Sequence, residues 1–302
     1  MSSGGDDLLA RLAAQARRAH DYYAPTVDPA ASLAARREVQ RFVREHLDDI
    51  RSAAARPLPG ADAGSFGPFP VFAYWADGEE AAPPLVRACL EQLRRVHPET
   101  HVLDAAAAEA AVRLPAAALA GIGDRPAHRS DLLRVALLER FGGMWIDATA
   151  YVPAPIGDAV EAALDAGVLV ERWSPERIAN WFIAARAGNP LVALLRAALE
   201  AWWRSTDRLP DYFLFHRVFE SLLAEAPEAA AIWRRVPFWS AVPSHLLQLA
   251  MLRPYDPAEV RAILAAAPLQ KLSYKYDASD VPPGSTLARL IGPGLGDGAA
   301  TA

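Results

Sequence analysis

Apolar and polar positions follow two periods along this chain. Leu8, Leu9, Leu12 and Ala16 recur near one helical face and predict an amphipathic helix over 6–20. Leu33, Val39, Phe42, Val43, Leu47 and Ile50 predict a second helix over 29–55. RPLPGADAGSFGPFP (56–70) is dense in proline and glycine and reads as a linker or entry loop. VFAYW (71–75) is short, apolar and aromatic, the signature of a strand, and Ala76-Asp77-Gly78 turns it. A helix over 83–96 follows, with proline at its start and Leu85, Val86, Cys89, Leu90 and Leu93 spaced for one face. THVL, just after His97-Pro98-Glu99, is a brief second strand. This strand–helix–strand order predicts an α/β fold with a mostly parallel sheet flanked by helices. Residues 105–120 are alanine-rich and read as helix. Further helices are predicted over 190–204, 211–224 and 257–266. The glycine-rich GPGLGDGAATA (292–302) reads as a disordered tail.

The most informative stretch is SDLLRVALLERFGGMWIDATAYV (130–152). Ser130 suits a helix N-cap, and Asp131 in a first turn suits the positive end of the helix dipole. Leu132, Leu133, Ala136, Leu137 and Phe141 give the helix its buried face, and Gly142-Gly143 stops it. Met144, Trp145 and Ile146 then read as a buried strand, which places Asp147 at its carboxyl end. Open α/β sheets bind ligands at that edge. Asp131 and Arg134 are three residues apart and share a face, so two carboxylates and a guanidinium can meet at one rim of the sheet. An ordinary cap, an intrahelical ion pair and a strand-ending turn would also account for each residue singly.

Charge and composition narrow the picture. Over 302 residues, 31 basic against 36 acidic side chains leave a net charge of −5, so no nucleic-acid partner is expected. One cysteine, Cys89, excludes a disulfide framework and a cysteine-rich zinc site. No apolar run reaches about 18 residues, so no membrane span is expected. The acidic start MSSGGDDLL lacks the order of a secretory signal. A cytoplasmic protein is expected, and peripheral contact with the inner membrane face is compatible with that. Of the 31 basic residues only Lys271 and Lys275 are lysine, both within LQKLSYKYD (269–277). An ammonium is not interchangeable with a guanidinium. Pro98 disrupts any helical alignment of His97 and His101, and GPGLGDG has no strand before it, so neither a zinc pair nor a phosphate cradle is read there.

The central block resembles the capsular polysaccharide synthesis protein family of glycosyltransferases. The likeness extends, in order, to FAYWADG with PPLVRACL (72–90), NWFIAARAGNP (180–190), DYFLFHRVF (211–219) and QKLSYKYD (270–277). The block is also similar to the sugar-transferring domains of the large clostridial toxins and to yeast-type outer-chain mannosyltransferases. The resemblance implies a GT-A-type nucleotide-sugar-binding fold over 69–290, after an N-terminal helical extension and linker (1–68) and before a tail (291–302). It implies a UDP- or GDP-sugar donor, a glycan or lipid-linked acceptor, a role in capsular or surface polysaccharide synthesis, and a retaining reaction. Asp131, Arg134 and Asp147 become the catalytic candidates. Trp75 is the candidate to stack on the base, as the matching tryptophan of the toxin domains stacks on uracil, with Tyr74 beside it. Asn180 and Trp181 fall where a polar residue of the relatives approaches the donor sugar. Lys271 and Lys275, with Tyr274, are candidates to neutralise the diphosphate.

The sequence departs from the Asp-x-Asp pattern of those relatives. The triplet here is Asp147-Ala148-Thr149, and threonine lacks the charge that hard cations favour. That puts a divalent cation (Mn²⁺ or Mg²⁺) in doubt, with Asp147 as its expected ligand and His245 as an alternative. A catalytically weak scaffold that binds nucleotide sugars is the competing reading. His216, expected on one helix with Asp211, reads as a core histidine, with a base or a metal ligand as the alternatives.

Overall fold

The computed structural model describes residues 29–56, 58 and 66–295. The helix expected over 6–20, most of the 56–70 linker and the tail beyond residue 295 lie outside the described residues. The chain begins with α1 (Pro29–Glu45) and α2 (Leu47–Ala54), which replace the single helix expected over 29–55 and meet at His46. β1 (Val71–Tyr74), α3 (Pro84–Val96) and β2 (Thr100–Leu103) form the expected strand–helix–strand unit, with β1 and β2 parallel. The alanine-rich segment gives two helices, α4 (Ala105–Ala111) and α5 (Ala116–Ile122), with Pro115 capping the second. Proline donates no backbone N–H and starts a helix far better than it continues one.

The central helix α6 (Pro126–Phe141) begins earlier than expected. Pro126 takes the first helical position after Arg125, so Ser130 is no N-cap and Asp131 lies in the second turn, away from the helix terminus. Gly142 (φ 67°) ends the helix, and Gly143 (φ 88°) opens β3 (Gly143–Ile146). A Cβ on Gly143 would stand 2.0 Å from the Pro70 carbonyl oxygen, so the double glycine lets β3 enter beside β1.

The chain continues through β4 (Ala150–Tyr151), α7 (Gly157–Ala162), β5 (Val168–Ser174), β6 (Arg177–Ala185) and α8 (Pro190–Ser205). Then come α9 (Leu214–Glu225), α10 (Pro227–Trp233), β7 (Trp239–Ser240), α11 (Leu246–Ala250), α12 (Pro257–Ala265), β8 (Gln270–Lys271) and α13 (Thr286–Ile291). The main sheet has the order β2-β1-β3-β6-β5-β7. β1 is parallel to both β2 and β3, and β5 is parallel to β7, whereas β6 is antiparallel to both neighbours. The sheet is therefore mixed, because the tight connection between β5 and β6 forces β6 against the common direction.

Trp145, Phe72, Phe182, Trp203 and Phe215 fill the core between sheet and helices. Val39, Val43 and Ile50 of the two N-terminal helices belong to that same core. Arg44 pairs with Glu225 of α9, and Arg51 pairs with Glu228 of α10. The second sheet, β4 with β8, is small and antiparallel, and it brings the C-terminal segment to the residues that follow Asp147.

Candidate functional site

β1 and β3 run the same way, so Trp75 and Asp147 emerge from the same edge of the sheet. β6 runs back past β3 with Phe182 opposite Ile146, which brings Asn180 and Trp181 to that edge. The backbone N–H of Asp147 donates to the Trp181 carbonyl at 2.8 Å. Helix α6 packs on this region and supplies Asp131 and Arg134 one turn apart.

These residues converge on Asp147. Its Oδ1 accepts the Trp145 indole N–H at 2.9 Å and lies 3.4 Å from Nη2 of Arg134. Its Oδ2 accepts from the Lys271 ammonium at 2.6 Å. The same ammonium donates to the Thr149 hydroxyl at 2.6 Å. Arg134 donates through Nη1 to the Asn180 carbonyl at 2.6 Å and through Nη2 to the Ser130 hydroxyl at 3.2 Å. Asp131 lies 3.2 Å from Arg134, accepts the Asn180 side-chain amide at 2.8 Å, and stands 3.5 Å from Nδ1 of His128. Two carboxylates and two cations thus form one continuous, charge-balanced network.

Burial sorts the network into front and back. Asp131 and Arg134 are 7% and 4% exposed, whereas Asp147 and Lys271 are half-buried. Direct sugar contact by Asp131 and Arg134, the sequence expectation, meets a structure in which they brace Asp147 and Asn180 from behind. Burial opposes ionisation of Asp147, but Lys271 and Arg134, with hydrogen bonds from Lys271 and Trp145, outweigh it and hold the carboxyl below the usual range. The group stays a carboxylate under any physiological condition.

Trp75 is half-buried at the end of β1, and the exposed Tyr274 meets it edge-on at 5.3 Å between ring centroids. Tyr74 is half-buried with its ring 6.4 Å from Trp145, and burial raises its phenol pKa. Tyr212 is exposed, 5.9 Å from His128. Partial desolvation of its hydroxyl, and then the carboxylates of Asp131 and Asp147, raise its pKa.

Other expected residues fall elsewhere. Neighbouring residues of a strand point to opposite faces, so with Asn180 turned to Asp131, Trp181 turns away. It is buried, donates its indole N–H to Glu171 at 2.9 Å and meets His245 edge-on, so it packs in the core instead of lining the edge beside Asp147. His245 is buried and stacked on Trp173 at 4.9 Å, and its pKa is lowered to about 3, by burial first and then by Lys271. That environment belongs to the aromatic core formed with Trp173 and Trp181. Lys275 is exposed and makes no ion pair among the described residues, whereas Lys271 is bound to Asp147. Asp211 precedes α9 instead of lying on it. There it accepts the Phe213 backbone N–H at 2.9 Å and pairs with Arg217 at 3.2 Å. His216, with its pKa lowered to about 4 by burial, has a buried Nδ1 without a partner.

Residues 28–290 match the family of capsular polysaccharide synthesis proteins. The chain belongs to that family. Among curated proteins, O-glycosyltransferase braB of Annulohypoxylon truncatum is 30% identical over 165 residues, 47% of this chain. The match spans 39% of that relative's length. Among solved structures, the PaToxG glycosyltransferase aligns over 87% of this chain and 97% of its own, at 14% identity and a TM-score of 0.38. Asp131, Arg134, Asp147, Asn180 and Lys271 all lie within the stretch matched by the capsular polysaccharide synthesis family.

A divalent cation, the cofactor expected from the resemblance, fits this constellation poorly. Among the described residues no group of three His, Cys, Asp or Glu side chains is placed to hold one metal ion. The donors that would flank it, Asp147 Oδ2 and Thr149 Oγ1, are both engaged by Lys271.

The sequence reading missed Trp145 and Thr149 as partners in the site. Strand parity carried the signal for the first, because residues two apart on a strand share a face. It also missed Glu171, a fully buried carboxylate on β5 that accepts from Ser244 at 2.7 Å and from Trp181. The signal there was a lone acidic residue inside the apolar run VLVERW.

Proposed function

We propose that this protein transfers a sugar from a nucleotide-diphosphate sugar, with UDP or GDP as the carrier, to a glycan or lipid-linked acceptor during surface polysaccharide synthesis. In the reaction the bond between the anomeric carbon and the diphosphate oxygen breaks, and the nucleoside diphosphate leaves with the bonding pair. The acceptor hydroxyl forms the new bond to that carbon, and its proton passes to the departing diphosphate. What the protein must supply is orientation of the sugar and stabilisation of the charge that develops on the departing diphosphate.

One observation carries this reading. Asp147 is fixed as a carboxylate at the carboxyl edge of β3 by an indole, a guanidinium and an ammonium, beside an aromatic pair at the end of β1. Asp147 and Asn180 are placed to orient sugar hydroxyls, Trp75 and Tyr274 to stack on the base, and Asp131 with Arg134 to hold the first two in position. The direction of the sheet supports a GT-A-like assignment: five strands share one sense, and the ligand edge lies at their carboxyl ends. Family membership supports the role in polysaccharide assembly, and the name of the curated relative supports O-glycosyl transfer. A lipid-linked acceptor would be met at the inner membrane face; among the described residues no helix is long and apolar enough to cross a membrane.

A thermal-shift screen with UDP and GDP, followed by hydrolysis assays on a panel of UDP- and GDP-sugars, tests this. A nucleoside diphosphate bound only by the folded state raises the melting temperature by mass action. Asp147→Asn is expected to lower kcat by about 10²–10³-fold. Donor hydrolysis that is equal in wild type and Asp147→Asn would overturn the site assignment. Retention of configuration is read from the anomer first formed.

A further inference from the structure

The disagreement between the cation site and its residues has a physical resolution, which rests on the nucleotide-sugar reading above. We propose that Lys271 is the built-in cation of this site: its ammonium holds the place between Asp147 and Thr149 that a divalent ion would take, and it neutralises the departing diphosphate, so that turnover needs no metal.

The placement of Lys271 is specified at several levels. In a chain that meets nearly all its need for positive charge with arginine, one of just two lysines stands here. β8 carries it, with Lys271 paired to Ala150 of β4. The next backbone N–H, that of Leu272, donates to the Thr149 carbonyl at 2.9 Å. On the other side, the buried Gln270 accepts the Leu247 N–H at 3.0 Å and donates to the Ile263 carbonyl at 3.2 Å. The strand is thereby pinned from the C-terminal helices as well as from β4, and the ammonium arrives 2.6 Å from both Asp147 Oδ2 and Thr149 Oγ1.

The charges agree with that geometry. Two carboxylates and a doubly charged ion sum to zero. So do one carboxylate, one hydroxyl and one ammonium. Threonine is therefore the fitting partner once a lysine is the cation, since a second carboxylate would leave the locus negative and repel a diphosphate. An ammonium carries three N–H donors. Asp147 and Thr149 take two, and one is left for a phosphate oxygen. A guanidinium is broad and planar and cannot sit at a point between two oxygens in this way. A divalent ion entering beside Asp147 would face the Lys271 ammonium and the Arg134 guanidinium, and the second carboxylate, Asp131, lies against Arg134.

The test uses the full chain, stripped with EDTA. Binding of UDP and GDP is followed by calorimetry, and release of nucleoside diphosphate from a panel of UDP- and GDP-sugars is followed with and without Mn²⁺ or Mg²⁺. Wild type is expected to turn over in EDTA within about twofold of its rate with metal. Lys271→Met is expected to lower kcat by about 10²–10³-fold. Because that variant also deprives Asp147 of a partner, its melting temperature is followed, and a second variant is made, Thr149→Asp with Lys271→Ala. This exchange rebuilds a two-carboxylate site, and its activity is expected to return with Mn²⁺ and vanish in EDTA, a readout that a merely structural lysine would not produce. Wild-type turnover that EDTA abolishes and Mn²⁺ restores would overturn the role of Lys271 while leaving the transferase reading intact. Unchanged kcat in Lys271→Met would do the same. If neither UDP nor GDP binds under any condition and no donor is cleaved, both readings fall together.

Discussion

Helix α6 contributes to two ion clusters made of similar parts, and they behave as opposites. Towards its start, Arg134 meets Asp131 and Asp147. Near its end, Glu139 meets Arg196 of α8, which also pairs with Glu200 at 2.9 Å. Each cluster is one guanidinium with two carboxylates. The Arg196 guanidinium is fully paired: Nε and Nη2 go to Glu139, Nη1 goes to Glu200, and Nη2 also donates to the Ala53 carbonyl at 3.2 Å, with Oε1 of Glu200 left without a partner. All of its guanidinium nitrogens are used, and the cluster ties α2, α6 and α8 together deep in the protein. The Arg134 cluster stays open. Nε of Arg134 has no partner, and the chain of charges continues through Asp147 to the half-buried Lys271. The direction of α6 explains the contrast. The helix runs back along β3, so its first half lies at the carboxyl edge, where ligands enter, and its last turns lie at the sealed amino edge.

If the sealed cluster is structural, removing its cation should be costly for the fold. Arg196→Met leaves Glu139 and Glu200 buried without a counter-charge. Burial already pushes the Glu139 carboxyl up, against the pull of Arg196. A loss of about 3–5 kcal/mol in unfolding free energy is expected, measured by urea denaturation. Replacing all three residues with apolar side chains of similar volume should recover most of it, because the desolvation cost then disappears with the charges. A stable Arg196→Met protein would remove the basis for separating the two clusters.

Glu171 sharpens the comparison, because it is a buried carboxylate whose hydrogen-bond donors, Ser244 and Trp181, are both neutral. Burial raises its pKa from 4.5 to about 7. A folded-state pKa above the unfolded value means that the folded protein holds the proton more tightly. The resulting stability is complete below about pH 4.5 and is lost as pH rises towards 7. The difference is roughly 3 kcal/mol. His216 and His245 act in the opposite sense, since their lowered pKa values, about 4 and 3, favour the folded state as pH rises through the acidic range. The measurement is therefore a difference between proteins. Unfolding free energy of wild type should fall relative to Glu171→Gln between pH 4.5 and 7.5, while the histidine contributions cancel. Parallel curves would show that folding leaves the Glu171 pKa unshifted.

Much of this contrast was legible in the chain before folding, and the missing parts share a cause. The double glycine at 142–143, the strand after it and the position of Asp147 follow from local rules, since glycine alone tolerates the left-handed turn there. The helix start was misplaced because Ser130 has the chemistry of a cap, while Pro126, four residues earlier, sets the first turn. Trp181 was grouped with Asn180 because the resemblance brings a polar residue of the relatives to the donor sugar there, whereas strand parity turns the two side chains to opposite faces and buries the indole. What no local rule could supply is the pairing of Lys271 with Asp147 and Thr149, across 124 and 122 residues. It depends on β8 finding β4, a two-residue ladder too short to leave a periodic signal.

The two lysines offer the gentlest test, because they differ in place and share their chemistry. Lys271 is half-buried with two oxygen partners, whereas Lys275 is exposed and donates its backbone N–H to the Ser273 hydroxyl at 3.2 Å. An exposed ammonium without a fixed partner loses little when truncated. Lys275→Ala is expected to change unfolding free energy by less than about 0.5 kcal/mol and to leave UDP and GDP affinity within about twofold, a shift of under 0.5 kcal/mol. Calorimetric titration of the two lysine variants side by side reads this directly. A large loss in Lys275→Ala would mean that the segment after β8 folds over the bound nucleotide, and that charge on the open cluster extends beyond Lys271. A loss confined to Lys271 would show that backbone pinning, and not lysine content, makes a cation part of the site.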